Sequence, residues 1–235
     1  MKIPCVWEHN GNDSLLYADS FVGAFTRGAS KEEAMRKMPE EIRRFQLWRN
    51  GAPLDDCDIE IVQEKASDLR IRDADSDVLF LSEKEPLRME EYRFLKSLAL
   101  KSAEDFYALY RSFPDQHKSA LPYRKTFYGS VPRTAEEMYQ HTKNVNEYYF
   151  SEIGAKADND GTIVSCRARG FEALESIAGF LSLETVMGSY GEQWSVRKVL
   201  RRFIWHDRIH AKAMYRMGIR TFGADAVPDI LKFAR

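Results

Sequence analysis

Two patterns of apolar positions divide the chain. From residue 1 to about 83, short apolar runs alternate with polar turns, and from Pro86 onward apolar residues recur at the three-and-four spacing of helices. In the first stretch Ile3 to Trp7 reads as a strand, Ser14 to Val22 as a second and Gly23 to Arg27 as a third. Ile59, Ile61 and later Val78 to Leu81 read as further strands, although Ile61-Val62 breaks strict alternation. Between them lies one helix. Ser30-Lys31-Glu32-Glu33 is a capping box, in which the serine hydroxyl accepts a backbone N–H three residues on and Glu33 reaches back. Ala34, Met38, Ile42 and Phe45 form its apolar stripe. Pro39 is expected to kink or restart it, and Asn50-Gly51 to end it. The prediction for residues 1–83 is a small α+β domain, a strand-rich sheet under one helix.

The second stretch predicts four long helices. The first runs from Leu87 to Phe113. A second capping box, Thr134-Ala135-Glu136-Glu137, opens a helix reaching about Ile153, and the polar turn Asp158-Asn159-Asp160-Gly161 follows. Ile163 to Met187 reads as a third helix that tolerates Gly170 and Gly179 at some cost. Ser195 caps a fourth, which runs to Met217 with Gly218 as its stop, and the tail after Gly223 has room for one short extra helix. Four helices without strands predict an all-α four-helix bundle over 86–235, so the chain is mainly α overall. The connection from Pro114 to Arg133, roughly 20 residues long, holds three prolines with Tyr123, Phe127 and Tyr128. It reads either as a lid over a site or as a strap packed on the bundle.

Composition narrows the class. The chain has 235 residues, 44% hydrophobic and 30% charged, with a formal net charge of −1. That balance suits a globular protein and gives no sign of a nucleic-acid or membrane partner. No apolar run approaches the roughly 18 residues needed to span a bilayer, and no basic segment precedes an apolar one near the start, so a soluble cytoplasmic protein is expected. Cys5, Cys57 and Cys166 are odd in number and far apart, which argues against a disulfide framework; without a Cys-x-x-Cys pair a zinc knuckle is not expected either. Asp158-Asn159-Asp160-Gly161 hints at a calcium loop, but Arg169 stands where a glutamate is needed. Arg197, Lys198, Arg201 and Arg202 read as a solvated basic helix face, with attraction of anionic thiols or phosphates as the functional alternative.

The candidate chemistry lies in histidines. His206 and His210 are four apart on the fourth predicted helix, so both imidazoles leave one face about a turn apart. They fall on the stripe of Val196, Val199 and Phe203. On the second helix His141 shares a face with Met138, Val145 and Tyr148. Two ligands from one helix and one from a packed neighbour make an open divalent-metal site, with positions left for water or a substrate thiolate. Packed or surface histidines are the plainer reading of the same spacing. Glu137 and Asn144 are the candidates to orient His141. No catalytic residue or general base can be named from the sequence. His9 and His117 lie outside the pattern.

The run from Trp194 to His210 resembles the last helix of the DinB-like metal-binding bundle superfamily, and His141, His206 and His210 match that family's three histidines by position. The resemblance covers about residues 86 to 220. It implies a divalent ion, zinc or nickel, often a homodimer, and in some members transfer of a low-molecular-weight thiol (bacillithiol, mycothiol or glutathione) onto a small electrophile. Metal-dependent hydrolysis, or a stress-response or partner-binding module without turnover, are the alternatives. The run from Gly23 to Ala34 resembles the strand-to-helix turn of HicB-like antitoxin domains. The DNA-binding module common in those antitoxins is not visible here, so no nucleic-acid role is carried over.

Overall fold

A computed structural model describes residues 1–50, 57–126 and 129–234. Gly51, Phe127, Tyr128 and Arg235, with the readings placed on them, lie outside the described residues. The sheet forms first in the chain. Strands β1 (Lys2–Asn10), β2 (Asp13–Ala18), β3 (Phe25–Gly28) and β4 (Asp58–Ala66) stand in the order β3-β2-β1-β4. The β1–β2 and β2–β3 pairs are antiparallel, and β4 runs parallel to β1. A parallel pair needs a crossover, and helix α1 (Lys31–Asn50) provides it, running unbroken through Pro39. The Ser30–Glu33 capping box forms as expected, with Glu33 accepting from the Ala29 N–H at 2.8 Å.

Alternation sorts the sheet residues onto two faces. Ile3, Cys5, Leu16 and Ala18 pack under the α1 stripe of Ala34, Met38, Ile42 and Phe45. Val6, Leu15, Tyr17 and Phe25 pack on the other face with Ile71, Val78, Phe80 and Trp205. The broken alternation at Ile61-Val62 is a bulge. Cys5 pairs with Ile61 and Val6 with Gln63, which leaves Val62 out of register and half exposed.

Val78 to Leu81 is not a strand. Val78, Leu79 and Phe80 are buried, but side chains rather than a neighbouring strand hold their backbone. Arg201 donates to the Val78 carbonyl, and Gln63 donates to the Leu79 carbonyl and accepts from the Leu81 N–H. A 3-10 turn at Leu81–Lys84 follows.

The rest of the chain is mainly helical, so the fold is an α+β mix. Five helices, not four, follow the sheet among the described residues: α2 (Met89–Arg111), α3 (Ala135–Lys143), α4 (Val145–Ser151), α5 (Ile163–Glu175) and α6 (Val196–Phe222). The Thr134 capping box is present, but the expected second helix is interrupted at Asn144. The third stops at Glu175 instead of Met187. Gly179 adopts φ +71°, which a helix cannot continue through, and short strands β7 (Val186–Met187) and β8 (Gln193–Trp194) take up the remainder. The long connection pairs β5 (Lys125–Thr126) with β6 (Gly129–Ser130). Helix α6 passes Gly218 and ends at Gly223, φ +95°. Gly218 is needed for closeness: a Cβ there would come 2.8 Å from the Phe113 ring and from Val227. No helix among the described residues is long and apolar enough to cross a membrane.

One buried cluster contains residues of both stretches, from Ile3 and Phe45 to Phe203, Ile204 and Phe233.

Candidate metal centre

Helix α6 is held in rotation by ion pairs on several sides. Asp207, fully buried, accepts both guanidinium nitrogens of Arg167 from α5 at 3.1 and 3.2 Å and the Ser102 hydroxyl from α2 at 2.6 Å. Arg208 donates to Glu41 of α1 at 2.9 Å, and Lys212 donates to the same carboxylate at 2.8 Å. Arg201 pairs with Glu83, with its guanidinium 3.9 Å from the Phe80 ring centre. The basic run read as a solvated face is therefore interior at three of its four positions. Lys198 is 0%, Arg201 2% and Arg202 8% exposed. Their carboxylate partners lie on other elements, and aromatic rings lie beside their charged ends.

That fixed helix presents His206 and His210 together, and α3 brings His141 to them. One ligand atom from each of the three rings lies within 4.8 Å of the others. Ring centres are 4.4 Å apart for His206–His210, 4.6 Å for His141–His210 and 5.3 Å for His141–His206. The three histidines thus lie close enough to share one metal ion. His206 is buried, His210 half-buried and His141 exposed at the rim. Among the described residues no hydrogen bond engages any of their ring nitrogens, and Nδ1 of His206 is buried without a partner. Burial pushes all three imidazoles below their ordinary range, and for His206 and His210 the neighbouring rings add to it. His210 is pushed down to about 3, and His206 lies well below the usual value. All three are neutral at pH 7, and a neutral imidazole offers a lone pair to a cation. A buried nitrogen without an acceptor or donor is costly unless something fills its place, so the donor set fits a borderline divalent ion.

Neither candidate orienting residue reaches His141. Glu137 is used by the helix cap, accepting from the Arg133 and Thr134 N–H groups, and Asn144 makes no hydrogen bond to the ring. His9 stacks on Trp7 and contacts Glu64, and His117 is exposed, both away from the cluster.

The histidines lie in a cleft of about 1300 Å³ whose walls come from both stretches of the chain. Tyr149, Trp205 and Arg202 line it beside His206. Tyr149 is 5.9 Å from the His206 ring, centre to centre, and burial raises its phenol above the ordinary value, so it stays protonated. Arg202 stands one turn before His206 and donates to the Ser76 carbonyl at 2.8 Å. Sequence reasoning named Arg202 only as part of a basic helix face and did not place Tyr149 or Trp205 at the site. The signal for Arg202 was its place four residues before His206, on the same side of the helix. The polar turn at Asp158 holds Arg169, whose guanidinium pairs with Asp158, as expected of a loop closed by its own chain. No family model matches this chain, no curated protein matches it, and no solved structure matches its fold.

Proposed function

We propose that this chain is a divalent-metal protein of the DinB-like kind, with His141, His206 and His210 holding one zinc or nickel ion, and that it transfers a low-molecular-weight thiol to a small electrophile. In this reading α3 and α4 count as one helix bent at Asn144, and with α2, α5 and α6 they make a four-helix bundle. The observation that carries the reading is the convergence of three neutral, unpartnered imidazoles within 4.8 Å. A borderline ion bound there would lower the pKa of a thiol or water ligand. The chain's own residues do the rest. The α6 ion pairs fix two rings relative to α3, and the aromatic wall of Tyr149 and Trp205 shields the floor of the cleft from bulk water. The protonated phenol of Tyr149 supplies a neutral hydrogen-bond donor on that wall.

Elemental analysis tests the centre. Purified wild type should carry close to one equivalent of zinc or nickel, and His141→Ala, His206→Ala and His210→Ala should each lose it while keeping the wild-type circular dichroism spectrum. Equal trace metal in wild type and variants would overturn the site. Thiol transfer is read separately with glutathione and monochlorobimane. A rate that follows metal content is expected, and a rate no higher than that of the stripped protein leaves a binding module without turnover.

A further inference from the structure

We propose that the cleft above the histidines takes a small anionic substrate, one bearing a carboxylate or phosphate, whose charged end is held by Arg27, Arg124 and Arg216. This rests on the metal reading only for what meets the substrate's other end. The three arginines come from separate parts of the fold: Arg27 from β3, Arg124 from the long connection and Arg216 from α6, and all line the same cleft. Convergence of like charges from three elements into one concavity is unfavourable unless carboxylates or a ligand offset it. Asp13 and Asp75 also line the cleft, and several of its other carboxylates are engaged with other cations. Glu33 pairs with Lys37, Glu40 with Arg43 and Arg44, and Glu41 with Arg208 and Lys212. Asp73 is 3.7 Å from Arg124. Among the described residues no carboxylate lies within ion-pair distance of Arg27 or Arg216. Among the described residues Arg27 donates to the Arg72 carbonyl alone. Burial, and then the Arg124 and Arg216 charges, push its guanidinium below the ordinary value against the pull of Asp73.

Arg216 follows His210 by six residues on α6, and both line the cleft with Ala213 between them. On the opposite wall Phe25 shares a strand face with Arg27 and packs against Trp205 at 6.2 Å. A compact molecule with an anionic end and a reactive or apolar end fits a cleft lined by both the arginines and the histidines. The N-terminal stretch thereby supplies a wall of the site, with Arg27 as its recognition group.

Calorimetric titration of the full-length protein, chelator-stripped and zinc-loaded, tests this with two probes, inorganic phosphate and succinate. At least one should bind stripped wild type one to one, and which of them binds tells phosphate from carboxylate. Arg216→Gln, a change at an exposed side chain without a protein partner, should weaken that binding several-fold, and Arg27→Gln/Arg216→Gln at least about tenfold, as expected for loss of charge-assisted hydrogen bonds. Equal affinity in the double variant, or no binding of either probe, overturns the proposal. Anion binding that persists in a protein unable to take up zinc removes the metal reading alone.

Discussion

Lys198 has its ammonium group wholly inside the protein. It donates to the Asp77 and Gln193 carbonyls at 2.7 Å each and forms an ion pair with Glu192 at 2.8 Å. Burial pushes it down to about 8 despite the pull of Glu192. The unfolded chain holds the same proton up to about pH 10.4. Below about pH 8 both states are protonated. Above it the folded state loses the proton first, so the unfolded state binds more protons and this residue's contribution to stability grows as pH rises. Lys198→Met lacks the effect. Urea unfolding should therefore show wild type gaining on the variant by roughly 1–2 kcal/mol between about pH 7.5 and about pH 9.5, and a difference constant across that range contradicts the assignment. The residue also shows what was hidden at this scale. His206 and His210 were legible because a spacing of four on one helix is a local fact, and His141 because it shares a predicted helix face with Met138 and Val145. Lys198, Arg201 and Arg202 looked solvated because their partners Glu192, Glu83 and the Ser76 carbonyl sit on other elements, and no local pattern points to them.

At the scale of elements, α5 shows packing overriding propensity. Gly170 lies inside the helix, where alanine is intrinsically better by about 1 kcal/mol. A Cβ there would stand 2.1 Å from the Phe150 ring. Phe150 is fully buried against Phe171 and Phe203, at ring-centre distances of 5.2 and 5.0 Å, so it has nowhere to swing. Overpacking costs about 1–3 kcal/mol, which exceeds the propensity gain. Gly170→Ala should lower the urea midpoint, and an unchanged or raised midpoint would show that α4 and α5 can separate freely. The glycines also explain which elements the sequence showed. Helices α1 and α2, the Ser30 and Thr134 caps and the first three strands followed from periodicity and capping chemistry. Gly179 and Gly218 were assigned opposite roles to those they play: the first lies beyond the end of α5 in a left-handed backbone, the second continues a helix beside Phe113. Periodicity alone does not separate a glycine kept for its φ from one kept for close approach. Val78 to Leu81 was apolar enough for a strand, yet Arg201 and Gln63 hold its backbone, and a sequence pattern does not reveal ladder partners made of side chains.

For the whole molecule, α6 is the element on which both stretches of the chain depend. Trp205 packs into the sheet against Tyr17 and Phe25, while His206, the next residue, lines the cleft. Glu41 of α1 receives Arg208 and Lys212, and Gly23 approaches Ile204 so closely that a Cβ would lie 2.2 Å from its side chain. Separating the sheet from the helices would expose this apolar contact and break the Arg208–Glu41 and Lys212–Glu41 pairs. Terminal or loosely attached units open at low free energy, whereas units sharing a core open together. Native-state hydrogen exchange in increasing urea should accordingly show the slowest amides of β2 and of α6 converging on one opening free energy. Sheet amides that exchange several kcal/mol more easily than those of α6 would mean that the first stretch opens by itself. Arg27 would then leave the cleft in each such opening, and the anion-binding wall would be a transient feature rather than a fixed one.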